Sequence, residues 1–366
     1  MATTQQSTLS FARGAPSLDI IDVEGLREAA QRAFTNDPGG ATAYGTAVGY
    51  VPLRRWIAER HGVEEAQVFV TNGSMQADAF LFDELVGSGD QVVVERPSYD
   101  RTLLSLRQHG AALVPIELEP DGIDVAALET ALAGGARPKL AHIIPNFHNP
   151  AGYTLSGPKR ERLLELARAH GFLIFEDDPY ISIRFRGEPL PTMLSLDGGA
   201  GNVVYASSFS KTVCPGIRVG FLIGPAELIA RTVVRATNTY ISPSMVDAAI
   251  VHEFCASGAI DRSIERVREA LEERVDTLAA ALREQIPDCS FVAPDGGYFL
   301  WLKLPDGVAP AAALKAAGEH GLALVSGDDF VLDGDSGAVR LAFSGVTPAE
   351  IREGVTRLAA ALASLQ

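Results

Sequence analysis

The chain is poor in cysteine: among its 366 residues, three are cysteines, Cys214, Cys255 and Cys289. Their wide spacing excludes a disulfide scaffold and matches no Cys/His pattern of a structural zinc site, so no metal is expected. The sequence also lacks an uninterrupted apolar run of about 18 residues, and we predict no membrane span. Its first residues, MATTQQSTLS, contain no apolar segment typical of a secretory signal. A cytoplasmic protein is therefore expected.

Basic residues are also scarce, since 31 of them stand against 46 acidic ones and leave a formal net charge of −15. This balance disfavours non-specific binding to nucleic acid or to an anionic membrane. Hydrophobic residues make up 47% of the chain, which excludes a disordered protein and provides for a sizeable core. The length suggests two or three domains, or one large α/β unit with an appendage.

From Tyr44 onward, short apolar runs alternate with helical segments. Such runs are typical of strands buried on both faces, and they predict strands at residues 67–71, 91–95, 112–116, 140–144, 173–176, 203–206 and 219–223. The alternation predicts an α/β fold with a mostly parallel sheet flanked by helices. Because ligands bind beyond the carboxyl ends of such strands, the segments that follow them are the places to look for chemistry.

The last third of the chain has a different pattern. A long helix predicted over residues 259–285 leads to a smaller α+β domain, with short strands predicted at 290–292, 298–302, 323–325 and 338–342. Thr347, Pro348 and Glu350 predict the start of the final helix, with Thr347 as its N-cap.

The strongest chemical signal follows the predicted strand at 203–206. Lys211 stands there near Ser208, Ser210 and Arg218. An amine in this position can form a Schiff base with a phosphorylated aldehyde, while hydroxyls and a guanidinium hold the phosphate. A solvated loop is the alternative interpretation.

Three other segments that follow strands support a cofactor site. Ser74 and Met75 begin a helix whose free N–H groups can bind an anion. Asn149, fixed between prolines and a glycine, can donate to a phenolic oxygen. Asp177 can hold a protonated pyridine nitrogen. Together with the acidic residue on either side, it could instead bind a metal or cap the next segment, but consecutive residues of an extended chain point to opposite faces.

In this order, the four motifs resemble those of the fold-type I pyridoxal-5′-phosphate (PLP) enzymes, the class I/II aminotransferases. The resemblance is strongest to the branch that contains 2-aminoadipate, kynurenine and aromatic or branched-chain aminotransferases. It extends from Tyr44 to Trp301 and rests on the strings YGTAVGYVPLRRWIA, TNGSMQAD, ERPSYDRT, PNFHNPAGYTLS, FEDDPYISIRF, SSFSKTVCPGIRVG and GGYFLW, with VRLAFS near the end.

The resemblance implies a role for each matching residue. Lys211 matches the lysine that binds the cofactor and shuttles the proton, and Asp177 matches the partner of the pyridine nitrogen. Asn149 and Tyr180 match the groups that bind the phenolic oxygen, and Tyr99 matches the aromatic residue that stacks on the ring. The residues that match the phosphate cradle are Ser74, the backbone N–H of Met75, Ser208, Ser210 and Arg218.

Two further matches concern a second copy of the chain and the substrate. Tyr44 matches a tyrosine that reaches the phosphate from a neighbouring subunit, which implies a homodimer with shared active sites. Arg340 matches the arginine that binds the substrate α-carboxylate, a task suited to its planar fork. Asn149 is assigned to the substrate site as well. Gly14 matches a glycine that lies over the substrate. Arg13 stands where the resembling segment has another glycine, directly before Gly14. We expect its charge to favour an acidic or polar amino acid as substrate, unless the side chain points to solvent.

These observations predict a PLP-dependent aminotransferase that moves an amino group from an L-amino acid to a 2-oxo acid by a ping-pong mechanism, with 2-aminoadipate, aromatic or branched-chain donors. Another PLP reaction (β-lyase, decarboxylase or oxidative deaminase), a ligand-sensing regulator domain and a metal-dependent enzyme are the alternatives. The predicted large PLP-binding domain covers residues 42–260, and the small domain covers 1–41 and 261–366.

Overall fold

A central sheet of eight strands organises the computed structural model, which describes residues 8–334 and 336–365. In spatial order the strands are Val68–Thr71, Gly220–Ile223, Val203–Ser208, Leu173–Asp177, Pro138–Ile143, Gln91–Arg96, Ala112–Glu119 and Gly122–Ile123. From Val203–Ser208 to Ala112–Glu119 the strands run parallel, and the outer pairs are antiparallel. The predicted α/β fold is confirmed.

Both faces of the sheet are covered, as the apolar strands predict. Val92 and Val94 belong to the core on one face, and Val93 belongs to the core on the other. The helices of the described residues are Val23–Asn36, Pro38–Thr42, Val51–His61, Ser74–Leu85, Asp100–Gln108, Val125–Ala133, Gly157–His170, Met193–Asp197, Ala226–Tyr240, Met245–Ala256, Ala259–Gln285, Pro310–Glu319 and Pro348–Ala363. Within residues 8–334 and 336–365, no helix is both long enough and apolar enough to cross a membrane.

A smaller antiparallel sheet lies beside the long helix Ala259–Gln285. Its strands, in spatial order, are Phe299–Lys303, Ala338–Ala342 and Val325–Ser326. Thr347 caps the last helix in a capping box with Glu350, as predicted. The strand predicted at 290–292 is wrong: only Ser290 forms an isolated bridge, with Lys303. The prolines at 287 and 294 bound this segment and lack the N–H that a longer ladder needs.

The N-terminal residues pack against both parts of the molecule. Leu9–Ser10 pairs in parallel with Leu322–Ala323, whereas the helix Val23–Asn36 packs against Met245–Ala256 in the core beside the large sheet. The division of the chain at residues 41 and 260 stays a prediction. From this packing we propose that the N-terminal part of the small domain ends before Val23; residues 1–7 lie outside the described part.

Candidate active site

A cavity of about 400 Å³ lies at the carboxyl ends of the parallel strands, where this type of sheet binds ligands. Its lining includes every residue that the sequence assigned to cofactor or substrate except Tyr44: Arg13, Gly14, Ser74, Met75, Tyr99, Asn149, Asp177, Tyr180, Ser208, Ser210, Lys211, Arg218 and Arg340. The fold therefore gathers residues from both ends of the chain into one site.

Lys211 follows the strand Val203–Ser208 and points into this cavity. Its Nζ donates to the carbonyl oxygen of Gly14 at 3.3 Å. The same atom lies 5.4 Å from the ring centre of Tyr180 and 5.0 Å from that of Tyr298. The hydroxyl of Tyr298 donates to the carbonyl oxygen of Lys211 at 3.2 Å. Two aromatic rings and two hydrogen bonds thus hold the lysine in place.

The electrostatic surroundings of Lys211 favour its neutral form. Burial and the positive charges of Arg340 and Arg218 together lower the pKa of the amine to about 8, while Asp177 opposes them. About a tenth of the amine is therefore neutral near pH 7 and can act as a nucleophile or as a base.

Asp177 ends the strand Leu173–Asp177 and is buried. Its Oδ2 lies 3.5 Å from Nε2 of His142, and within the described residues its Oδ1 has no hydrogen-bond partner. A buried carboxylate oxygen without a donor is costly, and the N–H of a protonated pyridine would supply that donor. His142 was missed in the sequence because only the pairing of two neighbouring strands places it beside Asp177.

The two acidic neighbours of Asp177 face other parts of the protein. Glu176 accepts hydrogen bonds from the backbone N–H groups of Met193 and Leu194, both at 2.8 Å. The Oδ2 of Asp178 accepts one from the side chain of Asn146 at 2.7 Å. The three carboxylates therefore do not form one ligand set, and the part of the chain that the structure describes contains no His, Cys, Asp and Glu cluster suited to a metal ion.

An anion cradle lies at the other end of the cavity. The hydroxyl of Ser208 donates to that of Ser210 at 2.9 Å, and Nη1 of Arg218 donates to the same Ser210 oxygen at 3.3 Å. The helix Ser74–Leu85 begins beside them, after Gly73 with a φ of +84°. A Cβ at Gly73 would collide with the Arg218 guanidinium, so glycine permits the close approach. Hydroxyls, a guanidinium and free N–H groups suit a phosphate.

Arg340 lies on the small sheet and is buried. Its Nη1 donates to the side-chain oxygen of Asn149 at 2.8 Å, and its Nη2 donates to the carbonyl oxygen of Ala12 at 2.9 Å. The guanidinium lies 4.4 Å from the ring centre of Phe299 and 4.8 Å from that of Phe330. Its Nε is buried and has no partner among the described residues, so the fork retains a donor for a carboxylate.

The N-terminal segment that contains Gly14 lies over the cavity. The carbonyl oxygen of Phe11 accepts a hydrogen bond from the N–H of Ala342 at 2.7 Å, which anchors the segment to the small sheet. At Gly14 a Cβ would collide with the ring of Phe299, so only glycine fits. The side chain of Arg13 is exposed and lies at the rim, where it faces both solvent and the cavity.

Tyr99 and Tyr180 complete the aromatic part of the lining. Burial and, to a lesser extent, the charge of Asp100 together raise the pKa of Tyr99 to about 12. Burial also raises the pKa of Tyr180, whose ring meets that of Tyr298 edge-on at 5.5 Å. Both phenols stay protonated at neutral pH and can donate hydrogen bonds.

Asp78 and Phe299 are among the lining residues that the sequence did not assign to the site. Asp78 is buried, and burial together with the charge of Asp177 raises its pKa. Its position four residues after Ser74 puts both on one helix face, a signal that could have identified it. Phe299 is buried, and it also lines the cavity and contacts Arg340.

Tyr44 lies away from the cavity. Its side chain is 89% exposed, and it lines a shallow depression that residues 242–246 also line. Within one chain it therefore contributes nothing to the site.

Comparison with known proteins agrees with this geometry. The family model "Aminotransferase class I and II" matches residues 7–358. The 2-aminoadipate transaminase of Thermus thermophilus is 33% identical over 367 residues, covering 99% of this chain and 92% of that protein. Aromatic-amino-acid aminotransferase 1 of Thermococcus litoralis is 32% identical over 363 residues, covering 96% and 87%.

A solved structure gives the same result. The crystal structure of alpha-aminoadipate aminotransferase from Thermus thermophilus, complexed with N-(5′-phosphopyridoxyl)-L-leucine, superposes with a TM-score of 0.93 at 32% identity, covering 98% of this chain and 93% of that one. The chain belongs to the aminotransferase class I and II family. It is a PLP-dependent aminotransferase, as the resemblance predicted, and the alternative reactions are not favoured.

The low pKa of Lys211 can be tested on the cofactor-free protein. We expect acylation of Lys211, followed by mass spectrometry, to have a pH midpoint near 8, below the roughly 10.4 of an ordinary lysine. Arg340→Ala should raise this midpoint because it removes a neighbouring positive charge. Arg27→Ala, which removes an exposed guanidinium outside the cavity, should not change it. A wild-type midpoint near that of an ordinary lysine would contradict the analysis.

Proposed function

We propose that this enzyme transfers the amino group of an L-amino acid to a 2-oxo acid with PLP held in the cavity described above. The main support is that one cavity joins the desolvated amine of Lys211, the anion cradle around Arg218 and the partnerless oxygen of Asp177. These are the three functions that a phosphorylated pyridine aldehyde needs from a protein.

The residues present fit that cofactor. Lys211 would hold its aldehyde carbon, Asp177 its ring nitrogen, and Asn149 and Tyr180 its phenolic oxygen, with Tyr99 against the ring. The residues that would hold its phosphate are Ser74, the Met75 N–H, Ser208, Ser210 and Arg218. When bound, PLP supplies an electron sink that stabilises negative charge on the substrate α-carbon.

The protein supplies binding and proton transfer. Arg340 binds the substrate carboxylate with its two terminal nitrogens, each of which has a second N–H besides the one that it donates to Asn149 or to Ala12. With the cofactor bound, the neutral fraction of Lys211 would accept the substrate α-proton at Nζ and donate it back within the same half-reaction. The rings of Tyr180 and Tyr298 keep the amine within the cavity throughout.

The half-reaction tests this function. Holoenzyme given an amino acid alone should form one equivalent of 2-oxo acid per site and convert its cofactor to pyridoxamine phosphate, without release of ammonia. Borohydride treatment should attach the cofactor to Lys211, seen by peptide mass spectrometry. Lys211→Ala should abolish both results, whereas Lys303→Ala, at an exposed lysine, should change neither. Ammonia release or a labelled peptide elsewhere would contradict the proposal.

For the substrate, we propose an acidic donor such as 2-aminoadipate, with aromatic and branched-chain amino acids as further donors. Arg13 lies at the rim of the cavity, and no described side chain pairs with it. A guanidinium there can attract a distal carboxylate. The names of the two sequence relatives above, a 2-aminoadipate and an aromatic aminotransferase, support the same range.

Arg13→Ala tests the acidic preference. It should lower kcat/KM for 2-aminoadipate by roughly threefold to fivefold, as expected for a partly exposed ion pair, and leave kcat/KM for leucine unchanged. Arg27→Ala serves as the control at an exposed arginine elsewhere. An unchanged ratio between the two substrates would overturn the assignment of Arg13.

We also propose a cytoplasmic homodimer with shared active sites. Tyr44 and Val246 line the same shallow depression and are 89% and 36% exposed. Ile241, just before residues 242–246 of that depression, is 57% exposed, and Met75, at the active-site cavity, is 49% exposed. Large exposed apolar groups of this kind are typical of interaction surfaces. A second copy would cover them and bring its Tyr44 to the phosphate site.

Mixed dimers test this arrangement. Co-expression of Tyr44→Ala and Lys211→Ala chains should restore about one quarter of wild-type activity, because half of the dimers are hybrids and each has one intact site. Arg218→Ala with Lys211→Ala is the matched control. Both of those residues act within one chain, so no hybrid site is intact and no activity should return. Equal recovery in both mixtures, or none in the first, would contradict the shared site.

A further inference from the structure

A second cavity, of about 420 Å³, lies behind the lysine segment and is called here the rear cavity. Residues 207–212 separate it from the active-site cavity. Ser210 and Lys211 line the active-site cavity, whereas Ser207, Phe209 and Thr212 line the rear one, and Ser208 borders both. The function assigned above does not use the rear cavity.

Aromatic rings make up one wall of the rear cavity. The ring of His61 lies 5.1 Å from that of Tyr205 and 5.6 Å from that of Phe221. Trp56 lies at the same cavity, with the guanidinium of Arg60 5.1 Å from its ring centre. Such a wall suits a flat aromatic group, which gains from edge-to-face and stacking contacts.

The charged groups of the rear cavity are cations. Arg60 and Arg268 line it, and no Asp or Glu does among the described residues. The Nε of Arg268 donates to the carbonyl oxygen of Ser182 at 2.8 Å, and its terminal nitrogens form no ion pair within the described chain. Arg60 forms only a long, exposed pair with Asp261 at 3.8 Å. The cations therefore favour an anionic ligand.

We propose that the rear cavity binds a small aromatic carboxylate. Its ring lies among His61, Phe221 and Trp56, and its carboxylate pairs with Arg268. This proposal does not depend on the amino donor of the enzyme, because the rear cavity contains neither Lys211 nor Arg340.

Phenylacetate is a suitable probe because it has neither an amino nor an oxo group to react. The chain has two tryptophans, Trp56 and Trp301, so Trp56 is the sole fluorophore of this type in Trp301→Phe holoenzyme. Titration with phenylacetate should change its emission saturably. The same affinity should be measured by calorimetry on the wild-type holoenzyme. Phenylacetamide, which lacks the charge, should bind about tenfold more weakly.

Variants separate the rear cavity from the active site. Arg268→Ala should weaken phenylacetate binding at least about tenfold, with partial rescue by Arg268→Lys. Arg340→Ala removes the carboxylate anchor of the active site and should leave the Trp56 response intact. A response lost in Arg340→Ala, one unchanged in Arg268→Ala, or no saturable response would overturn the proposal.

Discussion

The hydrogen bonds of Arg340 join three parts of the chain, and the substrate side of the site depends on them. The guanidinium belongs to the small sheet, donates to Asn149 beside the large sheet and donates to Ala12 in the N-terminal segment. Charge-assisted hydrogen bonds are strong in a buried setting. The rings of Phe299 and Phe330 fix the plane of the guanidinium between them. The carboxylate anchor is therefore in place before any substrate binds.

The site concentrates positive charge in a protein that is otherwise acidic. Lys211, Arg218 and Arg340 lie in one cavity of a chain whose formal net charge is −15. Their mutual repulsion and the burial of the lysine keep its amine partly neutral. The same cations attract an anionic cofactor and a carboxylate substrate. The overall charge thus argues against polyanionic partners, while the local charge selects small anions.

The residues that directly follow strands could be predicted from the sequence, because the ends of parallel strands meet at one edge of the sheet. Lys211, Asp177 and Asn149 are of this kind, and all three line the cavity. The roles of His142 and Phe299 could not be predicted in this way, because each residue lies within a strand and its neighbours depend on which strands pair. The ring of Phe299 serves both core and site, because it is buried and also lines the cavity beside Arg340.

The parallel pairing of Leu9–Ser10 with Leu322–Ala323 affects the order in which the site forms during synthesis of the chain. The segment over the cavity is synthesised long before the residues with which it pairs. Closing so long a loop is entropically demanding, and it waits until the C-terminal residues have folded. A nascent chain can thus assemble the large sheet and its anion cradle well before it has Arg340 or the covering segment. Competence to bind an amino acid therefore arises only after Arg340 has been synthesised.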